Sequence, residues 1–121
     1  MSRKTTFALA KKNNIPELLE MMEEFYAIDS YPFDPDKASR LIEELIATPA
    51  LGRLWLTFQG EELVGYIVLA FGFSFEYAGR DAMIDEFFIK EPARGKGLGK
   101  ATLEYVELQA KAVGIILSTW K

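Results

Sequence analysis

The chain has 121 residues, 50% of them hydrophobic, which is typical of a single soluble domain spanning residues 1–121. It contains no cysteine and no histidine, which excludes disulfides, thiolate zinc sites, cysteine nucleophiles and Ser-His-Asp catalysis, and we expect no metal site. The formal net charge of −4 does not favour nucleic-acid binding, because proteins that bind nucleic acid are usually basic.

The N-terminal segment predicts a strand followed by a helix. "TTFALA" (5–10) is short and rich in β-formers, and it predicts the strand. Apolar residues at 15, 18, 19, 22, 25 and 26 then keep the spacing of one helix face. Asn13 or Asn14 is the candidate cap, Pro16 suits the first turn, and Pro32 ends the pattern.

"DPDKASRLIEELIATP" (34–49) predicts a second helix. Asp34 is the candidate N-cap, Pro35 fits the first helical position, and Pro49 stops the helix. The residues predicted to form its buried stripe are Leu41, Ile42, Leu45 and Ile46.

The middle of the chain predicts antiparallel strands. "RLWLTF" (53–58) and "LVGYIVLAFGFSF" (63–75), joined by a turn, have the composition of a β-hairpin, and "DAMIDEFFIK" (81–90) predicts a further strand. The aromatic residues predicted to pack here are Trp55, Phe71, Phe73 and Phe75. Simple alternation gives the last strand one face with Ile84, Glu86 and Phe88. It gives the opposite face Asp85, Phe87 and Ile89.

The C-terminal segment predicts a helix and a strand. "GKATLEYVELQAKAV" has helix-forming composition, and Gly114 follows as a candidate C-cap. The residues predicted to line one side of this helix are Leu98, Ala101, Tyr105, Leu108 and Ala112. "IILSTW" (115–120) predicts a last strand with Trp120 as a packing residue, so the predicted order is β-α-α-β-β-β-α-β.

The turn before this helix, "EPARGKGLGKA" (91–101), combines three glycines with three basic residues. The first amides of a helix lack intrahelical partners and carry partial positive charge, and glycines let a ligand approach the backbone closely. Phosphate is the natural occupant of such a turn. The Walker pattern and the GxGxxG fingerprint are both absent; the pattern present is Arg-x-x-Gly-x-Gly, at Arg94, Gly97 and Gly99.

The stretch "IDEFFIKEPARGKGLGKATLEYVELQAKAVGI" (84–115) resembles the acetyl-coenzyme A motif of the GCN5-related N-acetyltransferases. The order of the preceding elements is also similar to that family. The resemblance implies an α/β domain of the α+β type, with a mixed, mostly antiparallel central sheet flanked by helices. It also implies acetyl-coenzyme A as co-substrate and a small-molecule or peptide amine as acceptor, which attacks the thioester directly.

The resemblance assigns roles to particular positions. Backbone amides of the turn would bind the coenzyme A pyrophosphate, and the preceding strand would bind the pantetheine arm and the acetyl carbonyl, whose oxygen a strand amide would stabilise. The fourth and fifth strands would splay apart to admit the cofactor. The residues expected to bind the cofactor are Phe87, Phe88, Ile89, Arg94, Gly95, Lys96, Gly97, Leu98, Gly99 and Lys100.

Glu86 is the candidate catalytic base, relaying through water to the amine, and Asp85 is its rival. The alternative for both carboxylates is a solvent-facing position or an ion pair with Arg80 or a nearby lysine. Aromatic residues around the first interhelix loop would help to wall the acceptor site, or would simply pack in the core and the loop. These residues are Phe25, Tyr26, Tyr31 and Phe33.

The family continues with a fourth helix, which commonly carries a tyrosine as general acid, and with two further strands. Nothing in this chain matches them, so we expect a C-terminally truncated domain, and an uncovered last strand predicts a homodimer or higher oligomer. Two other hypotheses stay open: a non-catalytic acetyl-coenzyme A-binding or oligomerisation module, and a structural domain whose turn binds adventitious phosphate. The chain shows no signal peptide and no membrane span, so we expect a cytoplasmic location without membrane or nucleic-acid partners.

Overall fold

The computed structural model describes residues 3–76 and 79–117. Within these ranges the elements follow the predicted order, and two short 3-10 helices, Lys12–Asn14 and Glu91–Ala93, come before the first and third α-helices. The strands are β1 (Thr5–Leu9), β2 (Gly52–Gln59), β3 (Glu62–Ser74), β4 (Gly79–Ile89) and β5 (Ile116–Leu117). The helices are α1 (Ile15–Ile28), α2 (Pro35–Ala47) and α3 (Leu98–Ala112).

One sheet, in the order β1-β2-β3-β4-β5, contains the described strands. The first four strands pair antiparallel with their neighbours, whereas β5 is parallel to β4 and pairs with it at Asp81↔Ile116 and Ala82↔Leu117. The predicted mixed, mostly antiparallel sheet is therefore confirmed. Of the predicted last strand, residues 118–120, including Trp120, lie outside the described residues, and the oligomer expected to cover that strand stays a prediction.

Each face of the sheet carries its own hydrophobic cluster. Helices α1 and α2 cover one face, where Leu18, Met21 and Tyr66 are fully buried. Helix α3 covers the other face, where Ile67 is fully buried and Trp55 is packed as predicted. Burial of this apolar surface on both sides is the main driving force for the fold. Within the described residues, no helix has the length and apolar character needed to span a membrane.

The N-termini of the first two helices differ in how they are capped. Asp34 caps α2 as predicted, because its carboxylate accepts hydrogen bonds from the amides of Asp36 and Lys37 at 3.1 and 3.2 Å. Asn14, one of the two predicted caps of α1, stands at its N-cap position but makes no capping hydrogen bond with its side chain. The Asn14 side chain accepts a hydrogen bond from the Lys11 amide at 2.8 Å instead, because the chain passes from the 3-10 helix directly into α1 and leaves Asn14 helical.

Three apolar residues that were expected to be buried are exposed. Leu41 is 54% exposed, although the next residue on α2, Ile42, is only 3% exposed. Consecutive helix residues point about 100° apart, so a helix that meets the sheet through Ile42 turns Leu41 aside. Phe73 and Phe75 are 72% and 93% exposed. They lie at the end of the β3–β4 hairpin and contact each other edge to face, with ring centroids 5.7 Å apart.

The predicted buried face of α3 is also wrong in part. Leu108 and Ala112 are exposed, and the helix instead buries Leu98, Thr102, Val106 and Ala110. Only Leu98 was predicted among them. Of the three missed residues, Thr102 is the one that a hydrophobic pattern counts as polar. Its hydroxyl donates to the Leu98 carbonyl at 2.7 Å and lies 3.0 Å from the Thr57 hydroxyl, and these bonds compensate for its burial. Gly114, at φ 73°, follows the helix as predicted.

A β-bulge in β4 overturns the predicted faces of that strand. Val68 of β3 pairs with Glu86, but the next residue, Leu69, pairs with Ile84, so Asp85 is an extra residue. One extra residue reverses the alternation of side chains on either side of it. Ile84 therefore packs on the α3 face of the sheet, whereas Glu86 lies on the α1–α2 face. Asp85, predicted on the face opposite Glu86, lines the same cavity as Glu86.

Candidate active site

The turn between β4 and α3 presents the start of a helix to solvent. Gly95 and Gly97 have φ values of 76° and 77°, in the left-handed region that glycine adopts without strain. Gly97 is the N-cap of α3, and the first intrahelical bond runs from the Ala101 amide to the Gly97 carbonyl at 3.1 Å. The amides of residues 98–100 precede that bond, so they have no acceptor within the helix.

The turn is anchored on the side that faces the protein core and open on the side that faces solvent. The Leu98 side chain is 5% exposed and packs with Val64 and Ala93, which anchors the first residue of α3. A Cβ atom built at Gly95 or Gly97 would meet no atom within 4 Å. The turn is therefore a rigid backbone cradle with open space beside both glycines, and the structure supports the use of these positions for close approach by a ligand.

Arg94 does more than add charge to the turn. Its Nε donates a hydrogen bond to the Ile89 carbonyl at 2.8 Å, and its guanidinium carbon lies 5.4 Å from the centre of the Phe88 ring. The side chain thus joins the turn to the last residues of β4. Lys96 and Lys100, the other two basic residues of the predicted phosphate site, are exposed.

A cleft of ≈ 340 Å³ lies between this turn, the end of β4 and the end of α1, and we call it the turn cleft. It brings together all of the predicted cofactor-binding residues except Lys96 and Lys100. Its far wall is formed by Phe25, which was predicted for the acceptor site, and by Ile28, which sequence reasoning missed. Ile28 is 62% exposed. The available signal was an isoleucine at the end of the predicted helix.

The outer edge of β4 borders the turn cleft. The Lys90 amide donates to the Val64 carbonyl of β3 at 2.7 Å. Because amides alternate in direction along a strand, those of Ile89 and Phe87 point away from β3, toward the outer edge, and that of Phe88 points toward β3. Among the described residues, β5 pairs with this edge only as far as Ala82, so the predicted separation of the two strands beyond that point is not described.

Glu86 accepts hydrogen bonds from two tyrosines on the α1–α2 face of the sheet. The Tyr26 hydroxyl donates to Oε2 and the Tyr66 hydroxyl to Oε1, each at 2.8 Å. Tyr66 is fully buried, and sequence reasoning missed it. A tyrosine inside the apolar run of β3 was the available signal, because a buried hydroxyl needs a polar partner. We call Glu86, Tyr26 and Tyr66 the carboxylate cluster.

Both tyrosines of the carboxylate cluster are held in the protonated state. Burial, together with the hydrogen bond to Glu86, raises the pKa of Tyr26 to about 12. Burial and the negative charge of Glu86 raise the pKa of Tyr66 further in the same direction. Removing a proton from either phenol would place a second negative charge beside Glu86. At neutral pH the two tyrosines are therefore donors that orient the carboxylate.

The four aromatic residues predicted for the acceptor wall are only partly brought together. Tyr26 belongs to the carboxylate cluster, and the Phe33 ring packs edge to face against it, with centroids 5.3 Å apart. Phe25 packs against Tyr66 and Phe88, at 6.4 and 6.1 Å. Tyr31 is 66% exposed and lines none of the described cavities that contain Glu86 or the turn.

A second cavity, of ≈ 220 Å³, lies between α1, α2 and strands β2 to β4, and we call it the helix-pair cavity. Asp85, Glu86 and Tyr26 form its polar side. The remaining lining residues are apolar: Met22, Ala38, Leu41, Ile42, Leu45, Leu54 and Val68. Glu86 therefore faces a partly open space that is large enough for a small molecule.

Comparison with known proteins matches the model of the acetyltransferase (GNAT) family to residues 17–120. An integron cassette protein from the mobile metagenome of Cole Harbour Salt Marsh is 39% identical, with a TM-score of 0.90 over 95% of this chain and 76% of that chain. A possible acetyltransferase from Clostridium difficile 630 is 13% identical (TM-score 0.85; 97% and 78% covered). A predicted acetyltransferase from Clostridium acetobutylicum, solved with acetyl-CoA, is 15% identical (TM-score 0.80; 98% and 81% covered). No match was found among curated proteins.

Proposed function

The chain belongs to the acetyltransferase (GNAT) family, and we propose that it transfers an acetyl group from acetyl-coenzyme A to an amine. Acetyl transfer in general is supported by the family and by its solved neighbours. One observation supports acetyl-coenzyme A as the donor. The open glycine turn at the start of α3 and the outer edge of β4 line the same cleft.

The residues of the turn fit a diphosphate group. The amides at the start of α3 carry partial positive charge and point out of the helix. The two left-handed glycines leave the space beside them open, and a bulky anion needs that space to reach the backbone. Although the net charge of the protein is negative, the turn itself carries three basic side chains, Arg94, Lys96 and Lys100.

The outer edge of β4 fits the remainder of the cofactor. When bound, acetyl-coenzyme A supplies an acetyl group activated as a thioester. The Ile89 amide points toward this edge and offers a hydrogen-bond donor to the pantetheine arm or to the thioester carbonyl oxygen, which gains negative charge during the reaction. Phe25 and Phe88 border the same cleft and keep water away from this edge.

Glu86 is the proton acceptor in the proposed reaction. The amine arrives as an ammonium ion and loses one proton to the Glu86 carboxylate, directly or through a water molecule. The amine nitrogen then bonds to the acetyl carbon while the carbon–sulfur bond breaks. The second nitrogen proton leaves with the thiol, and the proton on Glu86 returns to solvent. Tyr26 and Tyr66 hold the carboxylate in place by donating to its two oxygens.

Two measurements test this function. Isothermal titration calorimetry with acetyl-coenzyme A is expected to show binding to one site per chain. A thiol-release assay across a panel of amines is expected to show turnover with at least one of them. The absence of acetyl-coenzyme A binding would overturn the proposal. Binding without release from any amine would favour the non-catalytic coenzyme A-binding alternative.

A further inference from the structure

The helix-pair cavity has a distinct chemical character. Its polar side consists of two carboxylates and one phenol, Asp85, Glu86 and Tyr26. The opposite side is a continuous apolar surface contributed by α1, α2 and the sheet. Two of these apolar residues, Met22 and Ile42, are 7% and 3% exposed, so this wall is part of the rigid core. Such a cavity favours a molecule with one cationic end and one apolar end.

The helix-pair cavity adjoins the turn cleft. Along β4, Glu86 lines the helix-pair cavity and the next residue, Phe87, lines the turn cleft. Along α1, Phe25 lines the turn cleft and the next residue, Tyr26, lines the helix-pair cavity. The boundary between the two spaces therefore runs through the carboxylate cluster. A ligand that fills the helix-pair cavity with its charged group at Glu86 therefore holds that group next to the turn cleft.

We propose that the helix-pair cavity binds the acceptor, and that the acceptor is a small primary amine with a single positive charge and a compact apolar body. This inference rests on the proposed function, because it places the amine nitrogen at Glu86, beside the thioester end of the turn cleft. The volume of ≈ 220 Å³ lies below the range of about 300–1,000 Å³ typical of pockets for drug-sized ligands. It accommodates one short alkyl or aryl group.

The charges of the cavity exclude other classes of amine. A polyamine or aminoglycoside would place its further ammonium groups against the apolar wall, where a charge without a partner is strongly unfavourable. An α-amino acid would bring its carboxylate toward Asp85 and Glu86, and like charges repel. A neutral alkyl or aryl body, by contrast, gains from contact with Leu45, Leu54 and Val68.

The exposure of Leu41 is consistent with an apolar occupant. This residue lines the cavity and is 54% exposed, although its neighbour Ile42 is buried. A bound apolar body would cover part of this side chain and remove it from water. A positive charge placed at this position would instead repel a cationic ligand.

Direct binding of 2-phenylethylamine, measured by calorimetry or ligand-observed NMR without acetyl-coenzyme A, tests the inference. Ala38→Phe fills the cavity from α2 and is expected to weaken binding by about tenfold or more. Ala47→Phe, at the exposed end of the same helix, is the matched control and is expected to bind like the wild type. If Ala38→Phe does not fold, Leu41→Lys places a cation at the cavity instead, with Leu108→Lys on α3 as its control.

The outcomes separate this inference from the proposed function. Binding that is lost in Ala38→Phe or Leu41→Lys and kept in both controls supports the acceptor class. No binding by the wild type, equal binding by the variants and their controls, or tighter binding of spermidine than of 2-phenylethylamine overturns it. Failure of thiol release with every amine, while 2-phenylethylamine still binds in this pattern, counts against the proposed function alone.

Discussion

The turn cleft and the carboxylate cluster lie side by side along β4, yet they are built by different means. The polar groups of the turn come from consecutive residues, 94–100, and most of them are backbone amides. The carboxylate cluster consists of side chains separated by 60 residues, Tyr26 to Glu86, and by 20 residues, Tyr66 to Glu86. One half of the site is local in sequence, and the other exists only after the sheet and helices have packed.

This difference predicts different responses to mutation. Backbone donors in the turn remain in place when a side chain is changed, provided that the glycine conformations are kept. The carboxylate cluster has no such protection, because each hydrogen bond depends on one particular side chain. We therefore expect single substitutions in the cluster to affect turnover strongly with little effect on cofactor affinity, and the reverse in the turn.

Glu86→Gln gives the largest expected effect. The amide cannot accept the proton of the amine, so kcat in the thiol-release assay is expected to fall by about 10²–10⁴-fold, the usual contribution of a general base. Acetyl-coenzyme A affinity, measured by calorimetry, is expected to stay within about twofold of the wild type because the turn is unchanged.

Asp85→Asn is the matched control for Glu86→Gln, because the two carboxylates are adjacent and line the same cavity. Only Glu86 accepts from both Tyr26 and Tyr66, so we expect Asp85→Asn to act mainly on the KM of the amine. A larger fall in kcat for Asp85→Asn than for Glu86→Gln would reverse the assignment of the base.

Tyr66→Phe tests the buried half of the carboxylate cluster. It removes a hydrogen bond to a charged group from a fully buried position, which is expected to lower the free energy of unfolding by about 1.5–3 kcal/mol. Tyr26→Phe removes the equivalent bond from a partly exposed residue, so its loss is expected to be smaller. Urea denaturation measures both. A larger loss for Tyr26→Phe would show that burial does not set the strength of these bonds.

The same contrast explains how much of the molecule could be predicted from sequence. The element order, the Asp34 cap and the glycine turn all follow from residues close together in the chain, and each is present as expected. The turn was recognisable because Gly95 and Gly97 carry their conformational preference with them. Local patterns therefore gave the fold class and placed the predicted cofactor residues in one cleft.

Features that depend on tertiary packing were not predictable in this way. The bulge at Asp85 arises from the pairing of β3 with β4, and nothing in "MIDEF" marks it. Tyr66 lies in an apolar strand and was counted with it, and Thr102 was counted as polar until its partners, Leu98 and Thr57, were known. Each of these residues is defined by a contact 4 to 45 residues away, and a pattern along the chain does not contain that information.

Gly97→Ala tests the turn, with Gly114→Ala as its matched control. Both glycines have a left-handed φ, 77° and 73°, and open space for a Cβ, and they lie at opposite ends of α3. Both variants are expected to lose about 1–2 kcal/mol of stability from backbone strain. Acetyl-coenzyme A affinity is expected to fall by about tenfold in Gly97→Ala alone. If both variants lost acetyl-coenzyme A affinity equally, the loss would be due to backbone strain, and Gly97 would give no evidence that the turn binds the cofactor.

The smallest expected effect is a dependence of stability on alkaline pH. The pKa of Tyr26 is raised from 10.0 to about 12 in the folded protein, so the folded state holds this proton more tightly than the unfolded chain does. That contribution to stability is complete below about pH 10 and is lost as the pH rises through about 12. Unfolding in urea across this range is expected to show a shallower loss of stability for Tyr26→Phe than for the wild type. The difference in near-ultraviolet phenolate absorbance between the two proteins is expected to titrate near pH 12. If the difference instead titrates near pH 10, the Tyr26 hydroxyl does not donate to Glu86 in solution, and the carboxylate is then oriented from the sheet alone.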